Sequence, residues 1–181
     1  MVTTAVLLAA GLLLPFLTGQ LPSIGQLISP LHIPALLCGL TCGPLWGGLL
    51  GAALPLVRML LFGMPMLPAA LPMAFELCAY GAITGLLYPR LCRMLMRRLP
   101  AILSAMLCAM VLGRIIGGAA KALLLAGGAI TAGAPFTFGV FITSYFADTV
   151  VGAAIHLIIV PAIVLALEKA RLSPVSRELS A

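Results

Sequence analysis

The chain has 181 residues, 63% of them apolar and 8% charged, with a net charge of +6. Soluble domains carry about 25% charged residues, so this composition excludes one; at about 20 residues per helical crossing it leaves room for about six membrane spans. Seven basic residues (Arg90, Arg93, Arg97, Arg98, Lys169, Arg171, Arg177) flank apolar runs, which marks them as topology signals that also meet anionic lipid, not as a nucleic-acid surface.

The first apolar run predicts a helix over 2–17. No Lys or Arg precedes it and Thr18-Gly19-Gln20 is a poor cleavage site, so it is expected to be retained and not cleaved as a leader. Uncharged residues 18–29 read as a loop. A second helix is expected over 30–42, with Pro30 and Pro34 in its first turn and a stop at Cys42-Gly43-Pro44. The third, 45–62, then makes a tight hairpin with it. After the loop 63–70 come a fourth helix over 71–88, the basic segment 90–98, and a fifth over 101–125. A Gly/Ala/Thr-rich loop leads into a sixth over 136–167, long enough to contain a bend, and a tail over 168–181. The expected architecture is all-α, a single six-helix transmembrane bundle over 1–181. Both termini and the basic segment share the cytoplasmic side, because the three outer loops carry no charge.

Small residues recur four apart at Ala5 and Ala9, Gly39 and Gly43, Gly47 and Gly51, and Gly113 and Gly117. Such pairs let helix backbones approach closely in lipid, either inside the bundle or against a partner. The five cysteines form no C-x-x-C pair and read as small hydrophobes, neither metal ligands nor disulfide partners.

Charges inside apolar spans are costly and call for a reason. His32 begins the second helix, Arg58 lies a turn from the outer end of the third, and Glu76 about a turn and a half into the fourth. Lys121 lies near the outer end of the fifth, with Arg114 two turns deeper on the same face, and Asp148 falls near mid-membrane in the sixth. An ion relay would string its groups through the membrane, whereas these gather in the outer half, as a binding pocket requires. Glu76 and Arg114 are the expected main cargo contacts, assisted by Arg58, Lys121, Asp148 and His32. Tyr80, on the face of Glu76, would stack on a flat ring. Arg58, Arg114 and Lys121 outnumber Glu76 and Asp148 by one, which suits an anionic group on the cargo. Alternatively, Arg58 with Glu76, and Arg114 or Lys121 with Asp148, are structural ion pairs. Trp46, Phe75, Phe136, Phe138 and Tyr145 supply further rings or interfacial anchors, the loops at 18–29 and 127–135 have the composition to cover a pocket, and His156 reads as a packing histidine in the inner half.

No catalytic motif, metal-ligand spacing, cofactor fingerprint or nucleotide-binding loop is present, so no enzyme is expected and any transport must draw on a gradient or on partners. Ala5-x-x-x-Ala9, the stretch Gly43-Pro44-Leu45-Trp46-Gly47-Gly48-Leu49-Leu50-Gly51 and the span pattern together resemble the substrate-binding S components of energy-coupling factor (ECF) vitamin transporters. Pro55-Leu56 departs from the acidic or polar residue of many members. The resemblance implies a binding subunit in the bacterial cytoplasmic membrane that holds a micronutrient near the outer surface. Its first helix would dock through Ala5 and Ala9 on a transmembrane coupling subunit, and two cytoplasmic ATPases would drive its toppling. A purine-like queuosine precursor, folate, pantothenate and cobalamin all remain open as cargo. The alternatives are a small gradient-driven secondary transporter, for which no internal repeat is evident, and a structural subunit of a membrane complex.

Overall fold

The computed structural model describes residues 2–17, 30–130, 137–170 and 175. They form helices α1 (Val2–Leu17), α2 (His32–Cys42), α3 (Pro44–Phe62), α4 (Leu67–Leu95), α5 (Arg98–Ala126), α6 (Phe138–Ile142) and α7 (Val150–Lys169). A π-helical turn, Thr143–Ala147, separates α6 from α7. Among the described residues there is no strand. α3, α4, α5 and the run Phe138–Lys169 are long and apolar enough to cross a membrane, while α1 and α2 are shorter apolar helices.

Helix boundaries follow local chemistry. Gly43 alone separates α2 from α3; its φ of 92° suits glycine, and Pro44 opens α3 where a missing N–H costs nothing. α4 and α5 run past their expected limits. Only Met96 and Arg97 interrupt them, so Arg90 and Arg93 ride on the last turns of α4 and Arg98 opens α5. Arg, Leu and Met are good helix formers, and a basic segment is therefore no stop signal by itself. α2 has 11 residues, about 16 Å of helix, too short to cross a hydrocarbon layer of about 30 Å. His32 to Thr41 are all buried, which makes α2 the centre of the bundle.

Neighbouring helices run in opposite directions, and four contacts define two ends. Phe16 of α1 meets Phe62 of α3 at 4.9 Å, and His32 of α2 meets His156 of α7 at 5.6 Å. At the opposite end, Cys38 of α2 lies 3.9 Å from Thr4 of α1, and Arg98 of α5 pairs with Glu168 of α7 at 2.8 Å. The starts of α1 and α5 and the ends of α4 and α7 therefore share one end, which also carries Arg90, Arg93 and Arg97.

α2, α3 and α4 meet through glycine. A Cβ on Gly51 would strike the Leu77 carbonyl, one on Gly81 the Gly47 carbonyl, and one on Gly47 would sit 2.6 Å from the Gly39 Cα. Gly39, Gly47 and Gly51 thus lie inside the bundle, where backbone contact replaces the bulky side chains that would hold helices apart, whereas Ala5 and Ala9 are exposed. Leu36, Leu40, Leu54, Leu77, Ile102, Met106, Val160 and Val164 fill the core around them. Leu49 and Leu60 on α3, Val111 and Ile115 on α5, and Ile158 on α7 face outward, as lipid contact allows.

Candidate functional site

Glu76 is the buried carboxylate around which α2, α4, α5 and α7 converge. Its Oε1 accepts a hydrogen bond from Tyr80 Oη at 2.7 Å, the i to i+4 partner one turn along α4. His32 Nε2, from the first turn of α2, lies 3.6 Å from the same oxygen. This is too long for a hydrogen bond but within ion-pairing reach when the ring is protonated. Among the described residues no donor reaches Oε2 within hydrogen-bond distance.

α5 makes room for this arrangement. A Cβ on Gly113 would strike the Tyr80 ring, and one on Gly117 would sit 2.8 Å from Glu76 Cβ and 3.2 Å from Oε2. The two glycines four apart face the Glu76-x-x-x-Tyr80 pair on the antiparallel helix, each opening a notch for one side chain. Next to Gly113, Arg114 is half-buried, its guanidinium 5.7 Å from the Phe146 ring centre and acting electrostatically on the Tyr80 hydroxyl. Tyr145, half-buried, lies on the π-helical turn. The Phe141 ring occupies the notch at Gly118 and packs 5.3 Å from Tyr145. A π turn inside a helix adds a residue to the turn and re-aims side chains, and here it brings Tyr145 and Phe146 toward Glu76 and Arg114.

His156 was expected in the inner half, and its position is corrected. The sixth expected helix breaks at residues 143–149, so α7 starts afresh at Val150 and His156 falls in its second turn. Its ring is buried and stacks on His32 at 19°, with 5.6 Å between centroids. Tyr80 lies 5.2 Å from His32 on another side.

The other expected contacts are placed differently. Arg58 is buried, donates to the Leu12 carbonyl at 3.1 Å and sits 5.6 Å from both the Phe16 and Phe62 ring centres, so it ties α1 to α3. Asp148 is exposed at the end of the π turn, and Lys121 is half-buried two turns beyond Arg114. Among the described residues neither Arg58 nor Arg114 pairs with a carboxylate, and the structural pairs considered for them are not formed. Trp46 packs near the start of α3 at the far end, Phe75 and Phe138 are exposed, and Phe136 lies outside the described residues, as do 18–29 and most of 127–135. No three His, Cys, Asp or Glu side chains gather to hold a metal ion among the described residues.

The chain thus combines apolar helices long enough to cross a membrane with a buried carboxylate near aromatic side chains. A family model described as the substrate-specific component of ECF transporters matches residues 1–164. The chain belongs to that family. Neither a curated protein nor a solved structure matches it. This ECF S component is therefore a multi-pass membrane protein and a transport subunit. Of the residues singled out from the sequence, Glu76, Tyr80 and His32 lie together with Arg114 nearby, and they are joined by His156 and two α5 glycines that sequence reading did not group with them. The signal was available in the matched four-residue spacings, Glu76 with Tyr80 on α4 and Gly113 with Gly117 on α5.

Proposed function

We propose that this S component captures a vitamin or related micronutrient at the outer face of the bacterial cytoplasmic membrane and delivers it inward by toppling on a coupling subunit driven by two ATPases. In this reading six helical segments, α2 reaching only part-way through the hydrocarbon layer, place both termini inside, and the end bearing Arg90, Arg93 and Arg97 is cytoplasmic, as the positive-inside rule requires. Glu76, Arg114, Tyr80 and His32 hold the cargo, with Lys121 nearby. Arg58 acts as a brace and Asp148 stands outside the pocket.

One observation carries the reading: Glu76 is buried at the end opposite the basic cluster, with Oε1 held by Tyr80 and, among the described residues, no donor on Oε2. A bound ligand that donates to Oε2 would add a hydrogen bond to a charged group, the stronger kind. Docking falls to α1. Its Ala5 and Ala9 are exposed, while Leu7, Leu8 and Leu12 pack on the core, so a small-residue face remains for another helix.

The test is native mass spectrometry of the detergent-solubilised protein. Wild type is expected to retain a small molecule that Glu76→Gln loses without losing its fold. Retention of the same molecule at the same occupancy by both proteins contradicts the assignment of Glu76.

A further inference from the structure

Cys38 and Cys42 are spaced C-x-x-x-C in the last turns of α2, and a helix sets residues four apart one above the other on a single face. Their thiols interact directly. Cys38 is buried, with Sγ 3.9 Å from Thr4 Oγ1 on α1, and Cys42 is half-buried, with Sγ 3.5 Å from Thr41 Oγ1. The Thr41 hydroxyl donates its proton to the Leu37 carbonyl, so toward Cys42 it is an acceptor. Neither cysteine is in a disulfide. This end of the bundle carries the basic cluster and, in the proposed orientation, faces the cytoplasm, where thiols stay reduced.

Two thiols one turn apart can close on each other or on an atom between them. A disulfide needs Cβ atoms about 3.5–4.5 Å apart, whereas residues four apart on a helix hold theirs about 5–6 Å apart, so the end of α2 would have to unwind. A cation makes no such demand, because metal–thiolate bonds of about 2.3 Å span sulfurs up to about 4.6 Å apart. Among the described residues no third His, Cys, Asp or Glu side chain joins the pair, and the four-ligand sites that Zn(II) prefers are therefore not built here. Thiolates select soft metals, and Cu(I) is the soft cation that is content with two sulfurs in line.

We propose that Cys38 and Cys42 form a two-thiolate site for Cu(I), which revises the reading of these two cysteines as small hydrophobes. On binding, each Sγ loses its proton to solvent and forms one bond to copper, whose oxidation state does not change. Cys42 is the way in, since Cys38 is fully covered. Loss of the Cys38 proton removes the donor to Thr4, so occupancy is felt at the start of α1.

The test titrates the full chain in lipid nanodiscs with Cu(I) in the absence of oxygen, using bicinchoninate as a competing chelator whose colour reports the copper it keeps. Wild type is expected to take one Cu(I) per chain, and a variant carrying Cys78→Ser, Cys92→Ser and Cys108→Ser should take the same. Cys42→Ser should leave the copper with the chelator. A second measurement needs no variant: bound Cu(I) should protect Cys42 from maleimide, read by peptide mass spectrometry, while the exposed Cys108 labels as before. The assignment is overturned if wild type leaves all copper with the chelator, if Cys42→Ser binds like wild type, if the triple variant loses binding, or if Cu(I) leaves Cys42 labelling unchanged. Equal uptake of Zn(II) at the same concentration would overturn the two-sulfur geometry.

Discussion

Glu76 and Glu168 sit at opposite ends of the bundle, both buried, and both accept a hydrogen bond from a tyrosine hydroxyl, Tyr80 at 2.7 Å and Tyr88 at 2.5 Å. They differ in what the second oxygen meets. Oε2 of Glu168 takes Arg98 Nη1 at 2.8 Å, closing a three-helix node of α4, α5 and α7 whose cation is still part exposed. Among the described residues Oε2 of Glu76 has no such partner, and rings and a glycine notch lie around the side chain. A carboxylate whose acceptors are filled by its own chain holds helices together. One with an acceptor left over among the described residues is, in the proposed reading, completed by the cargo.

The largest expected effect comes from filling a notch at the open end. Gly113→Leu would drive a side chain into the Tyr80 ring and should cost about 3 kcal/mol or prevent folding, read as a lost or lowered melting transition in detergent. Gly48→Ala is the control, because its Cβ would meet Ala82 Cβ at an ordinary 3.5 Å and the melting point should hardly move. Next in size is Glu168→Ala at the closed end. It strips the buried Tyr88 hydroxyl and should cost about 1–3 kcal/mol, with the retained small molecule unaffected. Arg58→Met removes the brace between α1 and α3 and is expected to cost about 1–2 kcal/mol, again with retention unchanged. Loss of the retained molecule in Arg58→Met would return Arg58 to the pocket.

The contrast between the two ends was only partly legible in the sequence. Apolar runs and prolines located the helices because the hydrocarbon layer demands long uncharged segments, and the Gly43–Gly51 stretch carried the family. Glu76 and Tyr80 were readable as one face by their spacing. Other features depend on partners distant in sequence. Arg58 is satisfied by a backbone carbonyl 46 residues away, which no side-chain pattern encodes. Glu168 is held by Tyr88, 80 residues earlier, a contact that no spacing in the sequence signals. The π turn over Thr143–Ala147 interrupts an apolar run that reads as one helix, and that break moves His156 to the level of His32.

The smallest effect on the folded protein is expected from Ala9→Trp. Its side chain is exposed on α1, so stability and retention should stay at wild-type values while uptake in cells producing the coupling subunit and ATPases is lost. Uptake at the wild-type rate would remove α1 from the docking surface.

The most direct test of the difference between the two carboxylates is a paired measurement on Glu76→Gln and Glu168→Gln, following the melting point and the occupancy of the co-purified small molecule by native mass spectrometry. Glu76→Gln should lower occupancy at least about tenfold, the scale of one hydrogen bond to a charged group, with little change in melting, and Glu168→Gln should do the reverse. Equal loss of stability in both variants with occupancy intact would contradict the account, making Glu76 a structural carboxylate like Glu168.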